Sequence, residues 1–245
     1  LLTSFSNRTK DGTGCTTLGV CGKTPEVSGL QDLLINNLKN LCVYTHLAGL
    51  NKVPQNMLYP FTDFIMHSMY ATLTNVNFDP ARFIDYLKEC ERLTAEAKKL
   101  YESSTAKPLE IKFPRQFNIS EQLAAKDTGA LATLGLSVGV DSKMQEFGSF
   151  NGSIQELLTY GLKGLCAYAS EALQVGNRDD AVYAYIHEAF AFLSGVQGVT
   201  SKNINDGDDV LGMAIKCGEV NITVMSMLDG GARKNFGIPS PTPVS

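Results

Sequence analysis

Apolar residues recur along this chain at helical spacing, and they do so twice. Leu30, Leu34, Leu38 and Leu41 are answered at an offset of 124 by Ile154, Leu158, Leu162 and Leu165. Each set is the stripe of an amphipathic helix turned toward a core. The surrounding residues repeat as well. Gln31-Asp32-Leu33-Leu34 matches Gln155-Glu156-Leu157-Leu158, and Leu38-Lys39-Asn40-Leu41-Cys42 matches Leu162-Lys163-Gly164-Leu165-Cys166. A second pairing relates His67–Leu73 to His187–Leu193, and a weaker third relates helices ending near Cys90 and Cys217. Each half reads as three helices, about the minimum that encloses a core. The pattern predicts an all-α fold, two duplicated three-helix units packed as one helical domain.

Boundary signals place the units. Thr24-Pro25-Glu26 supplies a capping hydroxyl, a proline for the first helical position and an acid for the positive helix end. Asp79-Pro80-Ala81 repeats the device, and Gly176 marks a helix stop. The division is a loop over 1–24, a first unit over 25–103, a connector over 104–150, a second unit over 151–230 and a proline-rich tail over 231–245. The connector, with Pro108, Pro114 and Gly129, is expected to be partly helical. Its stretch Glu110–Phe113 carries the only β-type alternation, and the prolines of Pro239–Pro243 suit an extended arm.

Composition narrows the classes. The chain has 245 residues, 44% apolar and 19% charged, with a net charge of −4, which is ordinary for a globular domain. That balance, with no basic run beyond Lys98-Lys99, argues against nucleic acid. No apolar run is expected to approach the ~20 residues of a membrane span, which leaves at most peripheral contact with a membrane complex. The chain begins Leu1-Leu2, which points to a removed presequence or a trimmed terminus and favours an organelle interior, plastid or mitochondrion, over a prokaryotic cytoplasm. Sequons at Asn7, Asn118, Asn151 and Asn221 are at the frequency chance allows, and a soluble intracellular protein is expected.

Chemistry concentrates in Gly14-Cys15-Thr16-Thr17-Leu18-Gly19-Val20-Cys21-Gly22-Lys23. Two thiols on a glycine-rich loop that opens into a helix form half of an iron–sulfur site, which takes four such ligands. Cys42, Cys166, Cys90 and Cys217 fall on apolar faces and read as small packing residues, and none has the neighbours zinc requires. His67 and His187 correspond through the repeat. They could hold a metal, pigment or heme, but helix packing with one hydrogen bond is the plainer account, and His46 reads as a surface residue. Lys39 and Lys163 also correspond. A catalytic lysine would need burial beside a cation, so both are expected to face solvent. Gly12-x-Gly14 and Gly230-Gly231 are too short for phosphate loops.

Several segments together resemble the hybrid cluster protein (prismane, hydroxylamine reductase) family. They are Gly14–Lys23 with Thr24–Glu26 and Leu30–Ile35, Ala71–Asp79, Tyr160–Gly164 with Ala167-Tyr168, Val224–Asp229 and Gly237–Val244. The resemblance covers the family's N-terminal helical domain only. It implies that Cys15 and Cys21 match the third and fourth ligands of the N-terminal cluster, with Thr3 and Ser6 where the first cysteine pair would stand. Neutral hydroxyls are poor iron ligands, so the loop reads as a degenerate cluster site with no cofactor and no metal. The resemblance thus implies a non-catalytic structural or interaction subunit, not an enzyme, whose partners are other proteins. The alternative is an electron-transfer domain with an iron–sulfur cluster completed by outside ligands, or a fragment of a hydroxylamine reductase.

Overall fold

The computed structural model describes residues 21–242, so Thr3, Ser6 and Cys15 lie outside the described residues. Eight helices follow one another there, with no strand among the described residues: α1 (Pro25–Leu50), α2 (Gln55–Ala71), α3 (Pro80–Ser103), α4 (Ser120–Ala125), α5 (Thr128–Leu136), α6 (Val140–Gln174), α7 (Asp180–Leu193) and α8 (Gly207–Phe236). The fold is all-α, as the periodicity predicts.

Helix starts follow from side-chain caps that satisfy otherwise orphaned backbone N–H groups. Thr24 accepts from the Val27 N–H at 3.2 Å with Pro25 at the first position, and Asp79 accepts from Ala81 at 2.9 Å ahead of Pro80. Asp179 and Asp206 cap α7 and α8 in the same way. Gly176, at φ +88°, adopts the left-handed turn just past the end of α6.

The repeat is visible in the helices. α6 is interrupted at Gly148, whose φ of 77° and ψ of 162° are not helical. The part beyond it, 149–174, corresponds at the offset of 124 to the whole of α1, 25–50. α2 then corresponds to α7 and α3 to α8. Both leucine stripes point into one continuous core: Leu30, Leu34, Leu38 and Leu41 are fully buried, as are Leu158, Leu162 and Leu165. Cys42, Cys90, Cys166 and Cys217 are buried in it too, free and undisulfided.

The connector supplies α4, α5 and the first part of α6. Glu110–Phe113 forms no strand. It finds no neighbouring strand to pair with, and Phe113 instead packs edge-on against Tyr44 at 5.7 Å. α5 crosses α1 at backbone contact: a Cβ on Gly29 would stand 2.4 Å from the Ala132 carbonyl oxygen, and one on Gly135 would stand 1.7 Å from that of Gly29. This crossing delivers the chain to Gly139 and into α6 directly over Asp32.

Candidate functional site

α1 and α6 have, besides their leucine stripes, a second face that repeats. Asp32 and Lys39 are seven residues apart on α1, and so are Glu156 and Lys163 on α6, which puts each pair on one side of its helix, opposite the leucines. The expectation of solvent-facing lysines is wrong. Lys39 is 5% exposed and Lys163 3%. In a single three-helix unit this face would be wet, but the two units pack with these faces toward each other. Lys143, from the first part of α6, joins them as a buried ion-pair partner of Glu156.

The resulting charged core encloses about 10 Å3, lined by Asp32, Asn36, Lys39, Lys143, Glu156 and Lys163 among others, which is room for one water molecule and not for a substrate. Burial dominates its electrostatics. It pushes the Asp32 carboxyl up to about 6, against the pull of Lys143 and Lys163. It brings the Lys163 ammonium down to about 8, with Asp32 opposing. Lys39 is held well below the usual lysine range by burial and then by neighbouring Lys143. Among the described residues Lys39 has no hydrogen bond or ion pair, whereas Lys163 donates to the Thr72 carbonyl at 3.4 Å.

That bond links the core to one pole of the bundle. Lys23 donates to the next carbonyl, Leu73, at 3.3 Å and lies 5.4 Å over the Phe78 ring. A lysine of the loop before α1 and one of α6 therefore hold adjoining carbonyls where the chain leaves α2. The segments Ala71–Asp79 and Tyr160–Gly164 and the described end of the glycine-rich loop, Cys21–Lys23, meet here. Burial lowers the Lys23 pKa, and the Cys21 thiol opposes that shift. Cys21 itself is half-buried.

Among the described residues this pole offers one thiol to a metal, that of Cys21. Cys42, Cys90, Cys166 and Cys217 are enclosed in the core, where burial raises each thiol pKa, that of Cys90 to about 12, and keeps them protonated rather than ligating. The other positions that the resemblance assigns to the cluster, Thr3, Ser6 and Cys15, lie outside the described residues. Among the described residues no three His, Cys, Asp or Glu side chains are placed to hold a metal ion.

The repeat-related histidines part company. His187 is buried between Thr45 and Thr62, bonded through Nδ1 to the first and at 2.7 Å through Nε2 to the second, and burial drives its pKa down to about 3. Both ring nitrogens are occupied, so it is a neutral packing residue with two hydrogen bonds rather than one. His67 is exposed, tilted against Tyr86 at 6.4 Å. His46 is not a surface residue but half-buried: burial lowers its pKa, with Glu188 and the backbone at Val199, on the α7–α8 connection, opposing that shift. Asp32, Lys143 and Glu156 were missed as site residues. The signal was present for two of them, since an acid and a lysine recur together at the same offset as the leucines.

The family model for Prismane/CO dehydrogenase matches residues 8–245. Hydroxylamine reductase from Rhodospirillum rubrum is 34% identical over 97% of this chain and 41% of its own length. The hydroxylamine reductase of Syntrophobacter fumaroxidans is 37% identical over 97% and 41%, and that of Geobacter metallireducens 33% over 95% and 40%. The chain thus spans about two-fifths of the length of the curated relatives it matches.

Proposed function

We propose, since the chain belongs to the Prismane/CO dehydrogenase family, that it works as a helical docking domain for another polypeptide and does not itself reduce hydroxylamine. The observation that carries this reading is α8. Sequence inspection gives no apolar run of membrane-spanning length, yet Gly207–Phe236 is long and apolar enough for one, with a mean hydropathy of 1.2, and only 22% of its most apolar window is buried. One face, Val210, Met213, Cys217 and Val224, packs into the core. The other presents Leu211, Ile215, Ile222 and Met225, between 40% and 67% exposed, at spacings of four, seven and three residues around Gly218. This is a seam for a partner helix, and a helix apolar on both faces belongs between two layers of protein. The occupant we favour is polypeptide equivalent to the three-fifths of the relatives that this chain does not cover. In such a chain it would emerge beside Phe236 and Ile238, themselves 81% and 75% exposed. The neutral hydroxyls of Thr3 and Ser6, which by resemblance stand where the family's first cysteine pair would, support the non-catalytic part.

The test is binding of this chain to the separately produced remainder of the Rhodospirillum rubrum protein, followed by sedimentation, with that protein's own N-terminal segment as the positive control. Ile222→Asp should weaken the complex by roughly 30-fold or more, the loss expected for a charge buried at an interface hot spot. Binding by the control segment but not by this chain overturns the docking role. Hydroxylamine reduction by this chain alone, or about four irons with acid-labile sulfide per chain on anaerobic isolation, overturns the non-catalytic one.

A further inference from the structure

The two repeats set their first and third helices side by side, α1 with α3 and α6 with α8, but differ in what lies over each pair. In the first repeat the connector runs across the outside of α1 and α3. Asn36 and Asn40 both donate to the Arg115 carbonyl, at 3.1 and 3.3 Å, and the Leu109 N–H donates to the Tyr101 hydroxyl at 2.8 Å. Phe113 stands edge-on to Tyr44, and α5 then crosses at Gly29. Phe113 and Phe117, four residues apart, line a groove with Asn40 and Tyr44 of α1 and Thr94 and Lys98 of α3. Under this cover Leu33 is fully buried and Tyr44 is 7% exposed.

The equivalent face of the second repeat lacks that cover among the described residues. Leu157, which answers Leu33 at the offset of 124, is 60% exposed, and Tyr168, which answers Tyr44, is 38% exposed. The shift that takes Cys90 to Cys217 takes Ala95 to Ile222 and Lys98 to Met225, both exposed. Gly164 stands where α1 has Asn40, and Gly218 where α3 has Glu91. A Cβ on either glycine would meet nothing within 4 Å, so the floor between the helices is open. The helices are nonetheless in contact beneath it, since a Cβ on Gly161 would stand 3.0 Å from the Cys217 sulfur. The groove has thus kept its shape and its tyrosine while exchanging Glu91 and Lys98 for glycine and methionine. A solvent face has no reason to become more apolar, and a covered one does.

We infer that the α6–α8 groove seats an extended segment of the polypeptide that docks on α8, carrying two aromatic side chains four residues apart. The source of that segment rests on the docking role proposed above; the groove and its chemistry rest on the repeat. One ring stands edge-on to Tyr168 as Phe113 stands to Tyr44, an arrangement aromatic pairs favour. The other lies over Gly164 and Gly218, where no side chain competes for the space. Charged anchors do not suit the floor, because the positions of Glu91 and Lys98 no longer supply an ionic partner and a buried charge would go unpaired. Ile222 and Met225 belong both to the rim of this groove and to the exposed seam of α8, so the two contacts are continuous.

The probe is a labelled peptide copying residues 109–120, the segment that seats itself on the first repeat, followed by fluorescence anisotropy on the intact chain. Saturable binding at about 100 μM is expected for two anchored rings on an otherwise flexible peptide. Gly164→Arg, which fills the floor, and Tyr168→Ala, which removes the ring, should each weaken it by roughly 10-fold or more, as should alanine at both phenylalanines of the peptide. Gly164→Arg enters open space and should leave circular dichroism and urea unfolding no worse than those of the parent. In the complex with the remainder of the Rhodospirillum rubrum protein, the same variant should weaken association and the peptide should compete. A complex sensitive to Ile222→Asp but indifferent to Gly164→Arg overturns this occupant and leaves the docking role standing. No complex, with peptide binding intact, overturns the docking role and this occupant with it, and leaves the groove. Peptide binding unchanged in both variants, or absent up to ~1 mM, overturns the groove itself. Self-association of the chain that Gly164→Arg abolishes gives the groove to a second copy and overturns the assignment to the docked polypeptide.

Discussion

Among the described glycines, the α1–α5 crossing gives Gly135 the closest backbone obstacle to an added methyl. Adding one methyl there places a Cβ 1.7 Å from the Gly29 carbonyl oxygen, and 2.5 Å from its carbonyl carbon. The obstacle is backbone, so no side chain can turn aside, and the helices must part by about 1.5 Å to restore ordinary contact. A gap of 0.5–1 Å already forfeits roughly a quarter to a half of each dispersion contact along a seam. This seam includes Val27, Leu30, Leu131 and Ala132, all buried. Overpacking of a tight core costs about 1–3 kcal/mol, and a backbone obstacle belongs at the top of that range or above it. Gly135→Ala should therefore destabilise by about 3 kcal/mol. Gly164→Ala is the control. It is a helical glycine on α6 whose Cβ would meet nothing within 4 Å, and helix propensity alone predicts a gain of about 0.5–1 kcal/mol. Urea unfolding followed by circular dichroism gives both values. If Gly135→Ala falls within ~0.5 kcal/mol of wild type, the backbone contact between α1 and α5 is not what holds the connector, and the reasoning fails.

Other expectations concern the charged core and the thiols. Asp32 has its folded pKa raised to about 6, so its contribution to stability is fully present below the unfolded value of about 3.9 and is lost, to about 3 kcal/mol, as pH rises through 6. Lys163 is the mirror case, lowered to about 8: its contribution is present above the unfolded value of about 10.4 and lost, again by about 3 kcal/mol, as pH falls through 8. Unfolding free energy should therefore dip between pH 6 and 8, and Asp32→Asn should flatten the acidic limb; an unchanged slope between pH 4 and 6 in that variant would show that Asp32 is not its source. Lys39→Met replaces a buried, unpaired amine with an apolar side chain of similar length and should stabilise by about 1–4 kcal/mol; a loss of stability would mean Lys39 has a partner after all. Cys42, Cys90, Cys166 and Cys217 should resist a thiol reagent in the native state and react once urea unfolds the chain, since each is buried and protonated; native reaction of Cys42 at the rate of Cys21 would contradict that burial.

The helices and their pairing were legible because apolar spacing and duplication carry the same message. Leu30 to Leu41 and Ile154 to Leu165 say where two helices are and that they play equivalent roles, and the caps at Thr24, Asp79 and Asp179 say where helices begin. Glu110–Phe113 misled because alternation over so short a stretch needs a partner strand to become structure. His46 was misjudged because the groups that face it, Glu188 and the backbone at Val199, lie far along the chain, where no local pattern announces them. The glycine-rich loop remains where sequence left it, since Cys15, Thr3 and Ser6 lie outside the described residues. The groove between α6 and α8 was legible only in part: the repeat pairs Leu157 with Leu33, but that the connector covers one and not the other is visible only in three dimensions.

The misreading of Lys39 and Lys163 explains what duplication did to this fold. Helical periodicity sorts residues into one face for the core and one for solvent, and in a lone three-helix unit the side bearing Asp32 and Lys39 is the solvent side. Once two units associate, α1 against α7 and α2 against α6, that side becomes an interior surface, and Lys39 and Lys163 are buried in it. A polar face brought against its own copy cannot be neutralised by like meeting like. It works here because each face carries an acid and a base seven residues apart, so the copy of one can answer the other, and because Lys143, delivered by the α5 crossing, pairs with Glu156. That addition leaves three lysines against two acidic side chains, and Lys39 is the one without a partner among the described residues. The imbalance is therefore a consequence of the connector and not of the repeat. It follows that loosening the α1–α5 seam should reach the charged core: Gly135→Ala, by shifting the entry into α6, should weaken the Lys143–Glu156 pair and blunt the stability dip between pH 6 and 8 along with the overall loss. A variant that loses stability but keeps the full dip would show that the connector and the charged core are independent, and that the third lysine is placed by α6 alone.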